Sequence, residues 1–141
     1  MRRADGSVAL ADFGIAKSIL QQEIFALTQT RHGDVVGTPY YLSPEQASGQ
    51  PITPLSDLYS LGVLMFEMLT GERPFRAESL ELLLAQHVSA APPVLPAPHA
   101  ALQPVIERLM AKKPGDRYPS ARALLAELEE RSLSRTVVVR R

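Results

Sequence analysis

A chain of 141 residues is long enough for one modest domain and too short for two. Apolar residues make up 45% and charged residues 21%, which excludes a disordered composition. Lys+Arg and Asp+Glu balance at 15 each, which excludes the electrostatic footprint of a nucleic-acid or anionic-membrane binder.

The absence of cysteine removes disulfides and thiolate metal sites and fits a reducing compartment, the cytoplasm. No apolar run approaches the ~20 residues of a membrane span. The charged start, Met1 to Gly6, lacks the apolar stretch of a signal peptide.

In chain order, Ala4-Asp5-Gly6-Ser7 reads as a tight turn. Val8-Ala9-Leu10 after it and Ile15-Ala16 beyond Gly14 read as two short strands. Residues 18–36 show no sustained period and read as a long loop, functional or disordered. From Pro51 the chain turns helical. Thr53-Pro54 supplies an N-cap and a first-turn proline. Leu58, Leu61, Met65 and Met68 then recur at spacings of three and four, flanked by Val63, Leu64 and Phe66. A helix apolar over so much of its circumference expects burial, and Gly71 stops it.

A second helix is expected from about Ser79, with Leu80, Leu83, Leu84, His87 and Val88 on one side. Pro92, Pro93, Pro96 and Pro98 make the following stretch an extended connector. A third helix is expected over roughly Leu102–Ala111, with Pro104 in its first turn, and Pro114-Gly115-Asp116 is a turn. Ser120 caps a fourth helix whose Leu124, Leu125 and Leu128 face inward. After Ser132 the pattern fades, and residues 132–141 read as a flexible tail.

His32, His87 and His99 have no metal-ligand spacing and are expected in loops or on helix surfaces. Lys112-Lys113 reads as a complement to a helix C-terminus. Arg140-Arg141 is too short for a nucleic-acid patch.

Two fragments carry the chemistry. Asp12-Phe13-Gly14 follows a short strand; a carboxylate there can reach a metal, and the glycine lets the backbone swing. Its plain alternative is a turn aspartate. Gly37-Thr38-Pro39-Tyr40-Tyr41-Leu42-Ser43-Pro44-Glu45 is the second fragment. The first resembles the Mg²⁺-binding triplet of protein kinases. The second resembles their substrate-docking loop, ending in a variant of Ala-Pro-Glu. The segment between them has the length of an activation loop.

Gly37 to Phe75 is similar to this family throughout, and Leu42 to Gln46 has its bacterial flavour. On these motifs the chain resembles the C-terminal half of a bacterial Hanks-type serine/threonine protein kinase, over residues 1–131. The resemblance implies a mainly α fold: the large-lobe helices, a short N-terminal β-hairpin and a long activation loop, with the N-terminal lobe absent. A complete kinase needs roughly twice this length.

The resemblance also implies roles. Asp12 would hold Mg²⁺ that bridges the ATP phosphates, and Asp12, Phe13 and Gly14 form the cofactor-binding turn. Thr38 would lie beside the catalytic base and favour Ser/Thr hydroxyls of protein substrates. Thr28 and Thr30 are either regulatory phosphorylation sites or part of a solvated loop. Glu45 and Arg117 would form a buried structural pair. Asp57 would accept hydrogen bonds from the His-Arg-Asp loop.

That loop, the glycine-rich loop and the phosphate-pairing lysine would all lie before Met1. The expectation is therefore that these residues alone are inactive and that Asp12 alone holds Mg²⁺ weakly. Asp57 would be solvated or unsatisfied, and the central helix would show an apolar patch suited to association. A non-catalytic, pseudokinase-like binding module is the alternative, and a remnant without function is a third reading.

Overall fold

The computed structural model describes residues 38–138, with side chains from Pro39 to Ser132. These residues are mainly helical, and no strand occurs among them. The hairpin expected around Asp5-Gly6 and the loop of residues 18–36 lie outside the described residues.

Helix α1 spans Pro44–Ala47 and was not legible as a helix. It exists because Ser43 caps it twice. The Ser43 hydroxyl accepts from the Gln46 N–H, and the Gln46 side chain accepts from the Ser43 N–H at 2.9 Å. Pro44, the first helical residue, has no N–H to leave orphaned.

Helix α2, Pro54–Thr70, begins with the same device: Thr53 accepts from the Leu55 N–H, and Ser56 Oγ accepts from the Thr53 N–H. It ends at Gly71, whose φ of 75° is left-handed. Leu58, Tyr59, Val63 and Phe66 are buried along it.

Ser79 caps helix α3, Leu80–Ser89, by accepting from the Leu82 N–H. The proline-rich stretch stays non-helical through Pro96, and a 3-10 helix then covers Ala97–Leu102. Helix α4 follows over Gln103–Leu109, with Pro104 in its first turn. A 3-10 turn over Pro114–Asp116 leads to helix α5, Ala121–Val138, which continues past Ser132.

Two apolar clusters hold the elements together. One gathers Tyr59, Val63, Phe66, Phe75, Leu83, Leu95, Ile106 and Met110. The other gathers Leu58, Val105, Leu109, Tyr118 and Leu124. Each such side chain contributes roughly 1.5–3 kcal/mol by leaving water. The inward stripe of α5 is narrower than expected. Leu124 is buried and Leu128 half-buried, one turn apart, whereas Leu125 points off that line and is 55% exposed. Val88 on α3 is exposed for the same reason.

The α2–α4 crossing depends on Gly62. A Cβ there would sit 2.7 Å from Leu109 Cβ and 2.9 Å from Met110 Cγ. Leu109 Cβ is attached to the α4 backbone, so relief requires the two helices to separate. Gly62→Ala is expected to lower stability by about 1–3 kcal/mol in spite of alanine's better helix propensity. Gly115→Ala meets nothing within 4 Å and is the control. Equal melting temperatures for the two variants would refute this packing account.

Candidate functional site

The segment after Gly37 is a 3-10 turn, Thr38–Tyr41, laid on helix α2. It is fastened at both backbone and side chain. Ser60 Oγ donates to the Tyr41 carbonyl at 2.7 Å, and Tyr41 OH donates to Glu67 Oε2 at 2.6 Å. That hydrogen bond to Glu67, with help from burial, raises the Tyr41 pKa. Tyr40 lies under a guanidinium, with Arg73 Cζ 3.9 Å from its ring centre. Leu42 is buried below. A loop with so many anchors is preorganised before any ligand arrives.

Downstream, Glu45 and Arg117 sit together in the interior. Arg117 Nη1 donates to Glu45 Oε1 and Nη2 to Oε2, both at 2.8 Å. Its remaining N–H groups reach three carbonyls: Ala111 from Nε, Leu55 from Nη1 and Lys112 from Nη2. All five guanidinium donors are thereby used. Ser56 Oγ adds a third hydrogen bond to the carboxylate at 2.6 Å. Burial alone would raise the Glu45 pKa, but the hydrogen bonds from Arg117 and Ser56 outweigh it and bring it down to about 2. Ser56 thus closes the α2 cap and supports the ion pair at once, a double role with no sequence signature of its own.

His87 corrects an expectation. Expected on a surface, it is 0% exposed, enclosed between α2 and α3. Tyr59 OH lies 3.0 Å from Nδ1, and Phe75 packs edge-on at 5.1 Å. Nε2 is buried without a hydrogen bond among the described residues. Burial and then the Lys112 charge push the imidazole down to about 4; the Tyr40 backbone acts weakly in the other direction.

Lys112 is corrected in its partner. It follows α4, yet its Nζ donates to the His87 carbonyl at 2.9 Å, so it complements the end of α3. Burial lowers its pKa to about 8.

Asp57 is exposed, and its side chain makes no hydrogen bond or ion pair among the described residues. Thr38 opens the 3-10 turn. Asp12, Phe13, Gly14, Thr28 and Thr30 lie outside the described residues. Among the described residues, no group of three or more His, Asp or Glu could hold a metal ion. No helix among them is long and apolar enough to cross a membrane.

The model of the protein kinase domain matches residues 1–128. The chain belongs to the protein kinase domain family. Among curated relatives, serine/threonine-protein kinase PknA of Corynebacterium glutamicum is 44% identical over 117 residues, covering 82% of the chain and 24% of the relative. Pkn1 of Myxococcus xanthus is 44% identical over 126 residues, covering 86% and 18%. PknB of Mycobacterium tuberculosis is 41% identical over 132 residues, covering 91% and 21%. The chain thus spans about a fifth to a quarter of the length of these relatives.

Proposed function

We propose that this chain supplies the substrate side of a serine/threonine protein kinase, the part that positions the acceptor hydroxyl for transfer of the ATP γ-phosphate. The observation that carries this reading is the loop from Thr38 to Glu45, anchored on α2 through Tyr41 and locked to the end of the fold by Arg117. In phosphoryl transfer the protein mostly positions reactants and neutralises charge, and rigid placement of the acceptor is one half of that task. Thr38 is the residue proposed to face the hydroxyl. Asp12, with Phe13 and Gly14, is proposed to hold the Mg²⁺ of bound ATP. Thr28 and Thr30 are proposed as phosphorylation sites that order the loop.

The 141 residues contain no His-Arg-Asp triplet and no glycine-rich phosphate loop. By themselves they are therefore proposed to be inactive. The purified chain is expected to transfer no phosphate from Mg²⁺-ATP to a generic basic protein, and any Mg²⁺-dependent turnover would overturn that statement. The positive test is a chimera in which this chain replaces the matching segment of the Mycobacterium tuberculosis relative. It is expected to phosphorylate Ser/Thr peptides, with activity lost in Asp12→Asn. A folded chimera without transfer would sink the proposal.

One observation favours a second reading, a non-catalytic binding module. Met68 is 76% and Leu64 39% exposed on α2, apolar surface suited to association. A chain that stays monomeric at high concentration and captures no protein would remove that reading.

A further inference from the structure

Beside the Thr38–Tyr41 turn opens a cleft of about 330 Å³ lined by Tyr40, Glu67, Gly71, Arg73, Arg76 and Ala77. The one carboxylate that lines it among the described residues, Glu67, is already engaged at both oxygens. Oε2 accepts from Tyr41 at 2.6 Å, and Oε1 lies 3.5 Å from Arg73 Nε. A lysine or arginine entering the cleft would have to displace Arg73 to reach it.

The two arginines are differently placed. Arg73 uses Nε for Glu67 and its face for Tyr40, and its charge also acts on the nearby Tyr41 hydroxyl; its side chain is still 38% exposed. Held from two sides, that fork loses little further freedom when it binds. The Arg76 side chain is 61% exposed and, among the described residues, pairs with the still more exposed Glu72 at 3.9 Å, a pair that water screens. A planar carboxylate matches a solvent-facing guanidinium bidentately.

We infer that this cleft is a specificity subsite for an acidic side chain, aspartate or glutamate, of the protein substrate, read by Arg73 and Arg76. The inference rests on the substrate-side reading above. Tyr40 both lines the cleft and belongs to the turn that begins at Thr38, so the acid belongs within a few residues of the acceptor. Glu67, which by its charge would select basic substrates, instead serves as the internal counter-ion that holds Arg73 and Tyr41.

The test uses the 141-residue chain and fluorescent threonine peptides carrying one glutamate, moved through the positions flanking the threonine. Glutamine and lysine counterparts serve as controls. Binding is read by anisotropy, and its location by amide spectra of the labelled chain. At least one glutamate peptide is expected to bind about fivefold or more tighter than its glutamine counterpart, with the advantage vanishing near ~0.5 M salt. It should fall about fivefold in Arg73→Gln and in Arg76→Gln, and Arg76→Glu should move the preference toward lysine. Arg76 is surface-exposed, so its variants keep the fold even where Arg73→Gln disturbs the Tyr40 contact.

Equal or better binding of the lysine peptides overturns the inference. So does a glutamate preference that survives both arginine replacements, and so does an absence of binding by every peptide. Failure of the underlying reading has a different signature. Acid binding at the cleft that is indifferent both to threonine-to-valine exchange in the peptide and to Thr38→Val would keep the acidic cleft and remove the substrate loop. Threonine-dependent shifts at Tyr41 and Leu42 without any acid preference would do the reverse.

Discussion

Arg117→Met is expected to destabilise the fold by about 3–5 kcal/mol, the cost of breaking a buried pair and leaving one charge alone. Arg117 is 2% and Glu45 3% exposed. Methionine fills much of the arginine's volume but leaves the Glu45 carboxylate and the carbonyls of Leu55, Ala111 and Lys112 without these donors. Arg117→Lys is expected to recover only a minor part, since an ammonium cannot reproduce a five-donor fork. Replacing both partners with apolar residues should cost clearly less than the two single losses added together, because no charge is stranded. Urea unfolding of the single and double variants measures this. A single-variant loss below about 1 kcal/mol, the range of surface pairs, would mean that the pair is not the fastener described here.

Acidification is expected to weaken the protein in two stages. His87 has a folded value near 4 against an ordinary 6.5. Between these values the unfolded chain takes up a proton that the folded chain refuses, so stability present above pH 6.5 is lost as pH falls toward 4. The full loss is roughly 3 kcal/mol. The groups facing the ring explain the refusal: Lys112 is already positive, Tyr59 OH is neutral, and among the described residues no carboxylate is hydrogen-bonded to the imidazole. Glu45 follows, with a folded value near 2 against 4.5, so its contribution is lost as pH falls from 4.5 to 2. The urea midpoint should therefore decline from about pH 6.5 downward. In His87→Gln the upper part of that decline should flatten while the lower part stays. A midpoint flat between pH 6.5 and 4.5 in the unmodified chain would contradict the burial of a neutral imidazole.

Most helix positions were legible because their signals are local. Thr53, Ser79 and Ser120 each accept from a backbone N–H of the helix that follows. Gly71 ends α2 in the one conformation that glycine adopts without strain. Helix α1 was missed because four residues are too few to show a period, and its cap depends on Gln46 folding back. The Ala97–Leu102 turn was missed because its prolines argue for extension until Pro98 falls within the first turn.

The candidate site was legible only as far as motifs reach. Thr38, Glu45 and Arg117 stood out through family spacing, whereas Ser56, Ser60 and Glu67 look like ordinary helix residues and Arg73 like an ordinary loop residue. His87 was misjudged because a lone histidine on an amphipathic helix is polar by type. Only the arrival of Tyr59 and Phe75 from other segments makes its burial tolerable.

What the sequence determined by itself was the family, the helical class and most of the helix starts and stops, since caps, prolines and apolar periods act over a few residues. The tertiary structure alone decided which polar groups meet. Arg117 collects acceptors lying up to 72 residues away, His87 meets a hydroxyl 28 residues away, and Glu67 is shared between Tyr41 and Arg73. Such meetings follow from how the helices cross. Close packing fixes those crossings to within a fraction of an ångström, and no local pattern in the chain encodes them.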